Sequence, residues 1–279
     1  MTTELEELSS SYIDWAPASL AIRELSRINA LKILNTQLRF FNSQKILDVG
    51  CGDGKWWAHL CPNDHKKIYG IDISSKEIEI AKNFINAQVL DVTSEGFVND
   101  LDEKKFGLII GNCSLEHIYH LNKALFNIYK VLEEKGTFIL FVPTPYWAFK
   151  GKSIKFLEMI SPRLSMGFSG LINGFFQHWH LYDYKIWISI LENLGFTCLG
   201  AYGIGNKRSE FVFRLGLPSA FLSFLIKSLT GRYLNYYLSP LIPRPLKKIF
   251  CKKLSSTIES NLQEATQDDI FEYMIVCTK

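Results

Sequence analysis

The stretch ILDVGCGDGKW, residues 46–56, decides the fold. It begins as a short apolar run that stops at Gly50, and Gly52 and Gly54 follow at alternate positions. An apolar run that ends at a glycine is typical of a buried parallel strand, and glycines allow a tight turn and close approach of the backbone to a ligand. The stretch therefore predicts a strand, a ligand-binding turn and the start of a helix.

Strands and helices are predicted to alternate on either side of this stretch. The predicted strands are 45–49, 67–72, 87–92, 106–112, 137–143, 196–204 and the chain end 269–279, and the predicted helices are 17–41, 74–84, 121–134 and 182–196. Such alternation is typical of a parallel sheet with right-handed crossovers. We expect a Rossmann-like, doubly wound α/β sheet of about seven strands with an antiparallel last strand.

The domain organisation follows from where this pattern is interrupted. Regularity is lost over 144–180 and again over 206–265, and both stretches are longer than ordinary connections. No stretch has the composition of a linker. We predict a single domain, 1–279, with an N-terminal helical segment 1–42 and two irregular insertions, 144–180 and 206–265.

Aromatic and basic residues concentrate in the second half of the chain. Positions 141–250 hold 22 of the 38 aromatic residues, and 207–253 carry ten Lys or Arg against Glu210 alone, a net charge of +9. Such a segment suits an anionic membrane surface, a phosphate or a nucleic acid, although a solvated basic face is the alternative. The apolar run 211–229 contains Arg214, Pro218 and Lys227, which favours a surface-lying or buried amphipathic segment over a membrane span.

The cysteines and the first residues indicate the compartment. Six cysteines are scattered without a C-x-x-C pair or a His-Cys cluster, so no metal site and no disulfide framework is predicted. The opening MTTELEELSS lacks the basic and apolar regions of a signal peptide. We expect a cytoplasmic protein, with peripheral contact at the inner face of the membrane as an option.

Acidic residues around the glycine turn suggest the ligand. Asp72 ends the second strand, where a carboxylate can accept hydrogen bonds from both hydroxyls of a ribose. The G-x-G-x-G spacing, with Asp53 inside it, differs from the G-x-G-x-x-G of a dinucleotide site and disfavours a pyrophosphate. Asp48 and Asp53 therefore favour a cationic, nucleoside-containing ligand, with Asp48 placed to meet an amino group.

The segments ILDVGCGDG, GIDIS, LDV and IIGNCSLEHI resemble, in this order, the motifs of class I S-adenosylmethionine-dependent methyltransferases of the type 11 group. The resemblance covers about 45–145 and returns at 178–200, and a GLPS…LTGR segment resembles an uncharacterised subgroup. It implies S-adenosyl-L-methionine as the cofactor. The implied contacts are the methionine moiety for Asp48 and the backbone of Gly50, Cys51 and Gly52, the ribose for Asp72, the adenine for Ile73, Asp91 and Val92, and the methionine end for Asn112.

Each acid also has a purely structural alternative. Asp48 or Asp53 could cap the following helix, Asp72 could be a turn residue, and Asp91 could cap the segment DVTSEG. Cys51 is a small residue of the turn, not a nucleophile.

Three histidines are candidates for the acceptor side of the reaction. His117 follows the fourth strand, and His178 and His180 alternate with Trp179, so they share a face if that segment is extended. Near-neutral imidazoles suit deprotonation of a hydroxyl acceptor. The alternative is that they hydrogen-bond the backbone and hold the insertion on the sheet.

The predicted function is methyl transfer to a small-molecule acceptor, apolar or anionic, most simply O-methylation of a hydrophobic, lipid-linked or glycan-type molecule. The aromatic residues of both insertions would select that acceptor. One alternative is a nucleic-acid methyltransferase, although the fourth strand is followed by GNCS and not by a D/N-P-P-Y/F motif. Another is a catalytically silent binding module with this fold. The sequence predicts no oligomeric state.

Overall fold

The computed structural model describes residues 2–38, 41, 45–61, 67–149, 152–258, 262–266 and 270–279. The last residues of the predicted helix 17–41, the start of the predicted strand 269–279, and parts of both predicted insertions lie outside these ranges.

Eight strands and thirteen α-helices are present in the described residues. The strands are β1 (Ile46–Val49), β2 (Ile68–Asp72), β3 (Asn86–Val89), β4 (Phe106–Asn112), β5 (Leu132–Pro143), β6 (Thr197–Ile204), β7 (Gln263–Glu264) and β8 (Glu272–Thr278). The helices are α1 (Thr2–Ile13), α2 (Ala18–Leu38), α3 (Lys55–Leu60), α4 (Ser75–Ala81), α5 (Phe97–Asp100), α6 (Leu121–Val131), α7 (Pro145–Phe149), α8 (Lys152–Ile160), α9 (Pro162–Phe175), α10 (Tyr184–Asn193), α11 (Lys207–Thr230), α12 (Leu234–Leu238) and α13 (Arg244–Ser255).

The strands form one sheet in the order β3-β2-β1-β4-β5-β8-β6-β7. Strands β1 to β5 pair in parallel with their neighbours, whereas β8 is antiparallel to β5, with Thr137 opposite Thr278 and Pro143 opposite Glu272. The predicted Rossmann-like sheet with an antiparallel last strand is therefore confirmed. Its eighth strand, β7, has only two residues, too few for an apolar pattern to reveal.

The sheet is covered by amphipathic helices whose apolar residues are buried. In α6 these are Leu125 and Ile128 at helical spacing, and in α10 they are Trp187 and Leu191. Because β1 is buried at all four of its residues, its acid Asp48 is held inside the protein at 1% exposure. The order of strands thus brings the ends of β1, β2 and β4 together at one edge.

Both predicted insertions are largely helical where they are described, so the expectation of irregular structure is wrong. The first contains α7 to α9 and the second contains α11 to α13. The apolar residues of α11 lie on all sides of the helix and do not form a stripe. The sequence therefore lacks the 3.6-residue apolar period by which a helix is recognised. For the same reason the expected amphipathic segment over 211–229 is wrong.

The predicted helix 121–134 also ends early. Helix α6 stops at Val131, and β5 begins at Leu132, which pairs with Phe106 of β4. The register shifts before Leu108 pairs with Thr137. The segment LEEKG, which has good helix formers, therefore extends the strand because pairing to β4 outweighs local propensity.

The chain divides into two compact units. Unit 2, Leu38–Gly203 with Glu264–Lys279, contains β1 to β5, β8 and helices α3 to α10. Unit 1, Met1–Gln37 with Ile204–Gln263, contains α1, most of α2, and α11 to α13. The predicted N-terminal segment 1–42 and the second insertion thus fall largely in one unit, and the single domain stays a prediction.

Unit 1 is held together by contacts between distant parts of the sequence. Ser9 of α1 hydrogen-bonds Ser255 of α13 at 2.8 Å, and both hydroxyls are buried. The guanidinium of Arg23 in α2 lies 5.9 Å from the ring centre of Phe213 in α11. Helix α11 is long and apolar enough to cross a membrane by length and composition, and only 17% of its most apolar window is buried.

Candidate functional site

A cavity of about 520 Å³ opens at the carboxyl edge of β1, β2 and β4 in unit 2. Six of the residues that the sequence predicts for the site line it: Gly50, Asp72, Ile73, Asp91, Val92 and His117. The other lining residues were not predicted as site residues from the sequence, namely Val49, Ile71, Leu90, Thr93, Cys113, Ser114, Ile118, Tyr119 and His120. The other predicted residues, Asp48, Cys51, Gly52, Asp53, Asn112, His178 and His180, lie outside the lining.

The glycine turn after β1 is held by hydrogen bonds to β2. The amides of Gly50 and Cys51 donate to the carbonyl of Ile71 at 2.8 and 3.0 Å, and the amide of Gly52 donates to Asp72 Oδ2 at 3.0 Å. Gly50 has a φ of +77°, and a Cβ there would lie 2.4 Å from Cβ of Ser114. The turn therefore requires glycine at position 50.

Gly52 differs from Gly50 in what surrounds it. Its φ is +52°, and a Cβ at this position would meet no atom within 4 Å. The space beside Gly52 is therefore open, as expected where a backbone approaches a ligand.

The acids of the turn are engaged in different ways. Asp48 accepts a hydrogen bond from the indole of Trp57 at 2.6 Å. Asp53 accepts from the amide of Lys55 at 3.2 Å and lies 3.3 Å from the ammonium of Lys55. Asp53 thus contacts the first residue of α3 and is paired with a lysine, whereas the N-cap of this helix is Gly54 without a side-chain cap, so the helix cap expected as the structural alternative is not present.

The negative charge of this region acts on Cys51. Burial raises the pKa of the Cys51 thiol far above its usual value, and the nearby charges of Asp48 and Asp72 raise it further. The thiol stays protonated and is a poor nucleophile. The same field favours a cationic ligand.

Asp72 and Ile73 lie at the end of β2. Oδ1 of Asp72 accepts from the amide of Ser74 at 2.8 Å, while Oδ2 holds the glycine turn. The carboxylate therefore has the turn role of its structural alternative and also lines the cavity, where ionised oxygens keep further acceptor capacity. Ile73 is 77% exposed and offers an apolar surface at the cavity.

Asp91 and Val92 follow β3. Oδ1 of Asp91 accepts from the amide and hydroxyl of Thr93 at 2.7 and 2.8 Å, so Asp91 caps its own turn, as the structural alternative proposed. The carbonyl of Val92 accepts from the side-chain amide of Asn127 at 2.8 Å, which fixes this turn on α6. Asn127 could not be predicted from the sequence, because its partner lies 35 residues away.

Asn112 ends β4 with an unsatisfied acceptor. Its Oδ1 is buried and has no hydrogen-bond partner among the described residues. Buried amide oxygens are nearly always hydrogen-bonded, so this atom fits a ligand that brings an N–H or O–H donor. Together with the open space at Gly52 and the carboxylate of Asp72, it fits a cofactor that has an amino group and a ribose.

The three candidate histidines have different surroundings. His180 has both ring nitrogens in hydrogen bonds: Nε2 donates to the carbonyl of Ile118 at 2.9 Å, and Nδ1 accepts from the hydroxyl of Tyr182 at 3.0 Å. His117 and His178 instead stack on each other, with ring centres 5.1 Å apart. The geometry of His180 matches its structural alternative, and its catalytic role stays a prediction.

A methyltransferase-domain family model matches residues 21–200, which is more than half of the chain. The chain is a class I methyltransferase. Its cofactor is S-adenosyl-L-methionine. The type 11 group and the contacts expected of individual site residues stay predictions.

Curated relatives of this methyltransferase include two O-methyltransferases. It is 28% identical over 123 residues to the malonyl-[acyl-carrier protein] O-methyltransferase of Priestia megaterium, covering 43% of this chain and 44% of the relative. It is 36% identical over 111 residues to an O-methyltransferase of Pyrenophora dematioidea, covering 37% of this chain and 40% of the relative. The matches thus span less than half the length of either relative.

Among solved structures, the methyltransferase resembles phosphoethanolamine N-methyltransferase 2 of Haemonchus contortus in complex with S-adenosyl-L-methionine. The TM-score is 0.51 at 17% identity, and the match covers 89% of this chain and 51% of that one. This similarity concerns the fold alone.

Proposed function

We propose that this methyltransferase transfers a methyl group to an oxygen of a small-molecule acceptor that is hydrophobic, lipid-linked or glycan-type. The observation that carries the proposal is the position of His117, whose imidazole lines the same cavity as the cofactor acids Asp72 and Asp91. An imidazole beside the cofactor can take the proton of an attacking hydroxyl. The names of the two curated relatives support oxygen as the methylated atom.

The cofactor supplies an electrophilic methyl group on a positively charged sulfonium. Residues of this chain would bind it through charge and hydrogen bonding: Asp72 at the ribose hydroxyls, Oδ1 of Asn112 at a donor of the methionine part, and the open backbone at Gly52 along it. The buried Asp48 adds negative charge beneath the turn.

On the acceptor side, hydrogen bonding selects a tautomer of His117. Nδ1 lies 3.2 Å from the carbonyl of Gln177, so Nδ1 carries a proton, and in the neutral ring the lone pair is on Nε2. A lone pair on Nε2 is what a general base requires. Orientation of donor and acceptor within the cavity would supply much of the remaining rate.

An apolar acceptor is supported by the first insertion. Helices α8 and α9 expose several large apolar side chains, namely Phe156, Met159, Ile160, Leu164, Met166 and Leu171. The end of α9 leads directly to the cavity, because Asn173 hydrogen-bonds His178, which stacks on His117. We propose that this insertion contacts the apolar part of the acceptor.

The test is methyl transfer from labelled S-adenosyl-L-methionine to a panel of phenolic, hydroxylated-lipid and glycolipid acceptors. His117→Ala should lower turnover about 10²–10⁴-fold while the cofactor dissociation constant stays unchanged. The matched control is His59→Ala, a histidine on α3 outside the cavity lining. Unchanged turnover in His117→Ala would reject the proposal that this imidazole is the general base. Methyl transfer to amines alone would reject the proposal that the acceptor atom is oxygen.

The two alternatives make different predictions in the same assay. A nucleic-acid methyltransferase would label RNA or DNA and no small molecule. A silent binding module would bind labelled cofactor and transfer nothing to any acceptor. Failure of the wild type to bind labelled cofactor would exclude both the enzyme and a cofactor-binding module.

We also propose that unit 1 contacts the surface of an anionic membrane from the cytoplasmic side. Helix α13 supports this because it has two apolar faces. Cys251 and Leu254 are buried, while Leu246, Ile249 and Phe250 are exposed at positions i, i+3 and i+4. Three exposed lysines flank that second face: Lys248, Lys252 and Lys253.

Helix α11 adds to the apolar surface of unit 1. Its exposed side chains include Phe211, Leu215, Phe221 and Leu229. Basic side chains beside an exposed apolar face suit an interface in which rings and aliphatic chains enter the acyl boundary and lysines meet anionic headgroups. The charge complementarity selects a membrane over a neutral apolar partner.

Co-sedimentation of the full chain with vesicles tests this contact. Vesicles of mixed neutral and anionic lipid should bind the protein at low salt, and 0.5 M salt should weaken binding, because exposed charges are screened. Phe250→Glu should reduce binding, whereas Phe126→Glu, an exposed phenylalanine of α6, should not. No sedimentation at low salt would reject the contact. Resistance to high salt and to alkaline extraction would instead indicate that α11 inserts.

A further inference from the structure

Three metal-ligating side chains meet in unit 2. One donor atom each from Glu116, His117 and His178 lies within 4.8 Å of the other two. Nε2 of His117 lies 3.7 Å from Oε1 of Glu116, and the two imidazole rings stack. Two histidines and one carboxylate form the ligand set of many catalytic zinc sites, in which the fourth position stays open.

Hydrogen bonds select the ring tautomers that a metal needs. Nδ1 of His117 faces the carbonyl of Gln177 at 3.2 Å, and Nδ1 of His178 faces Oδ1 of Asn173 at 3.2 Å. Both partners are acceptors, so both Nδ1 atoms are donors, and in the neutral rings both Nε2 atoms carry lone pairs. A metal-ligating histidine almost always donates its other ring N–H to a carbonyl or a carboxylate in this way.

The backbone holds the ligands in one frame. Glu116 and His117 belong to a short 3-10 turn, Leu115–His117, that follows β4. The carbonyl of Glu116 accepts from the amides of Trp179 and His180 at 2.8 and 3.1 Å. The segment that carries His178 is therefore fixed to the residue that offers the carboxylate.

We propose that Glu116, His117 and His178 bind a divalent transition metal, with Zn²⁺ as the ion that suits them best. Donor atoms around a tetrahedral zinc lie roughly 3.3 Å apart, given bonds of about 2.0–2.2 Å. Binding thus draws the three donors together by about 1 Å, within the range of side-chain rotation.

The location of this site gives the metal a chemical role that rests on the proposed function. Because His117 lines the cofactor cavity, a metal held by this residue would lie beside the region that we assign to the acceptor hydroxyl, and a coordination position left open by the protein could take that hydroxyl. A coordinated hydroxyl loses its proton more readily. With metal present, the lone pair of His117 is a ligand, and the metal takes over activation of the hydroxyl from the imidazole.

Zinc titration of the full chain, stripped with a chelator and monitored by competition with a coloured zinc indicator, tests the site. The wild type should bind one equivalent of Zn²⁺ at this site, and the His178→Ala and His117→Ala variants should each fail to bind that equivalent. Asn173→Ala, which removes only the hydrogen-bond partner of His178, should weaken that equivalent about 10–100-fold. His59→Ala should leave it unchanged. Co²⁺ binding, seen as visible absorption bands, should likewise be unchanged in His59→Ala, weakened in Asn173→Ala and lost in His178→Ala and His117→Ala.

Asn173→Ala keeps the test valid if the histidine variants fail to fold. The side chain of Asn173 is partly exposed, so its removal should leave the core packing intact. Equal zinc binding by the wild type, His178→Ala and His117→Ala would overturn the proposal, as would no binding by the wild type. Cofactor binding is measured separately on the same preparations. A wild type that binds cofactor but no zinc therefore rejects the metal alone, whereas a wild type that binds zinc but transfers no methyl group to hydroxyls rejects the proposed acceptor alone.

Discussion

The indole N–H of Trp57 donates a 2.6 Å hydrogen bond to Oδ2 of Asp48, and both side chains are at most 1% exposed. Asp48 is the last residue but one of β1, and Trp57 lies in the first turn of α3, on the far side of the glycine turn. A neutral donor thus stabilises a buried carboxylate without adding an opposite charge of its own.

Trp57→Phe tests this relationship. Loss of a hydrogen bond to a charged group should lower the free energy of unfolding by about 1.5–3 kcal/mol beyond the loss of ring volume. The control is Trp187→Phe, since Trp187 is equally buried but its indole N–H has no partner among the described residues. Urea unfolding of both variants measures the difference, and equal losses would mean that the Trp57 hydrogen bond contributes nothing.

Asp72→Ala should weaken cofactor binding. The carboxylate holds the amide of Gly52 and lines the cavity, so its loss removes a charge-assisted bond to the turn and those expected to the ribose. Loss of about 2 kcal/mol corresponds to roughly a 30-fold rise in the cofactor dissociation constant. Calorimetry with S-adenosyl-L-homocysteine measures it. Asp102→Ala, an exposed acid outside the cavity lining, should bind as the wild type does.

Gly50→Ala should destabilise the fold. The new Cβ would collide with Ser114 at 2.4 Å, and a φ of +77° adds strain. Overpacking and a left-handed backbone together cost about 2–4 kcal/mol. Thermal unfolding should therefore show a clear drop in melting temperature, and an unchanged value would show that Ser114 moves away at no cost.

Gly52→Ala should affect cofactor affinity more than the stability of the fold. Its Cβ would enter open space, so only the backbone strain of about 1–2 kcal/mol remains. The same methyl group would occupy space that we assign to the cofactor. We expect a small loss of stability and a larger loss of cofactor affinity. Tight cofactor binding by this variant would show that the cofactor does not lie beside Gly52.

His180→Ala separates two roles for this histidine. If its hydrogen bonds to Ile118 and Tyr182 are structural, the variant should lose about 1–2 kcal/mol of stability, and any loss of turnover should be matched by unfolding. If His180 is catalytic, turnover should fall while melting temperature and cofactor affinity stay unchanged. Both quantities are measured on one preparation.

The thiol of Cys51 should resist alkylation in the folded protein. Burial and the neighbouring carboxylates raise its pKa, so the protonated form persists well above pH 8, where an ordinary thiol begins to ionise. Iodoacetamide at pH 8 followed by peptide mass spectrometry should modify Cys51 only after denaturation. Rapid modification of the native protein would contradict both the burial and the charge around this residue.

Most of the sheet was predictable because each strand is a local pattern. Phe106–Asn112 was predicted to the residue, and the spans of β1, β2 and β6 to within one residue. Errors arose where the pattern is not local. Leu132 begins a strand because it pairs with Phe106, and α11 has no apolar stripe that would mark it as a helix.

The place of Asp72 in the cavity lining was predictable for the same reason, since Asp72 ends a strand that the sequence marks as apolar, and the cofactor contacts of Asp48, Asp53 and Asp72 stay predictions. The partners of the turn residues were not predictable. Trp57 is nine residues from Asp48, and Ser114 is 64 residues from Gly50, so neither contact leaves a trace in spacing.

By itself, the sequence determined the alternating fold and the glycine turn, because periodicity and motif are properties of short segments, and its resemblance to a known family implied the methyl donor. Only the tertiary structure decided that His178 lies against His117 beside Glu116, with His180 turned to Ile118 and Tyr182. The two histidines, which are separated in sequence only by Trp179, thus have different partners. The reason is physical: the ends of α9 and β4 are about sixty residues apart, and their meeting depends on the packing of everything between them.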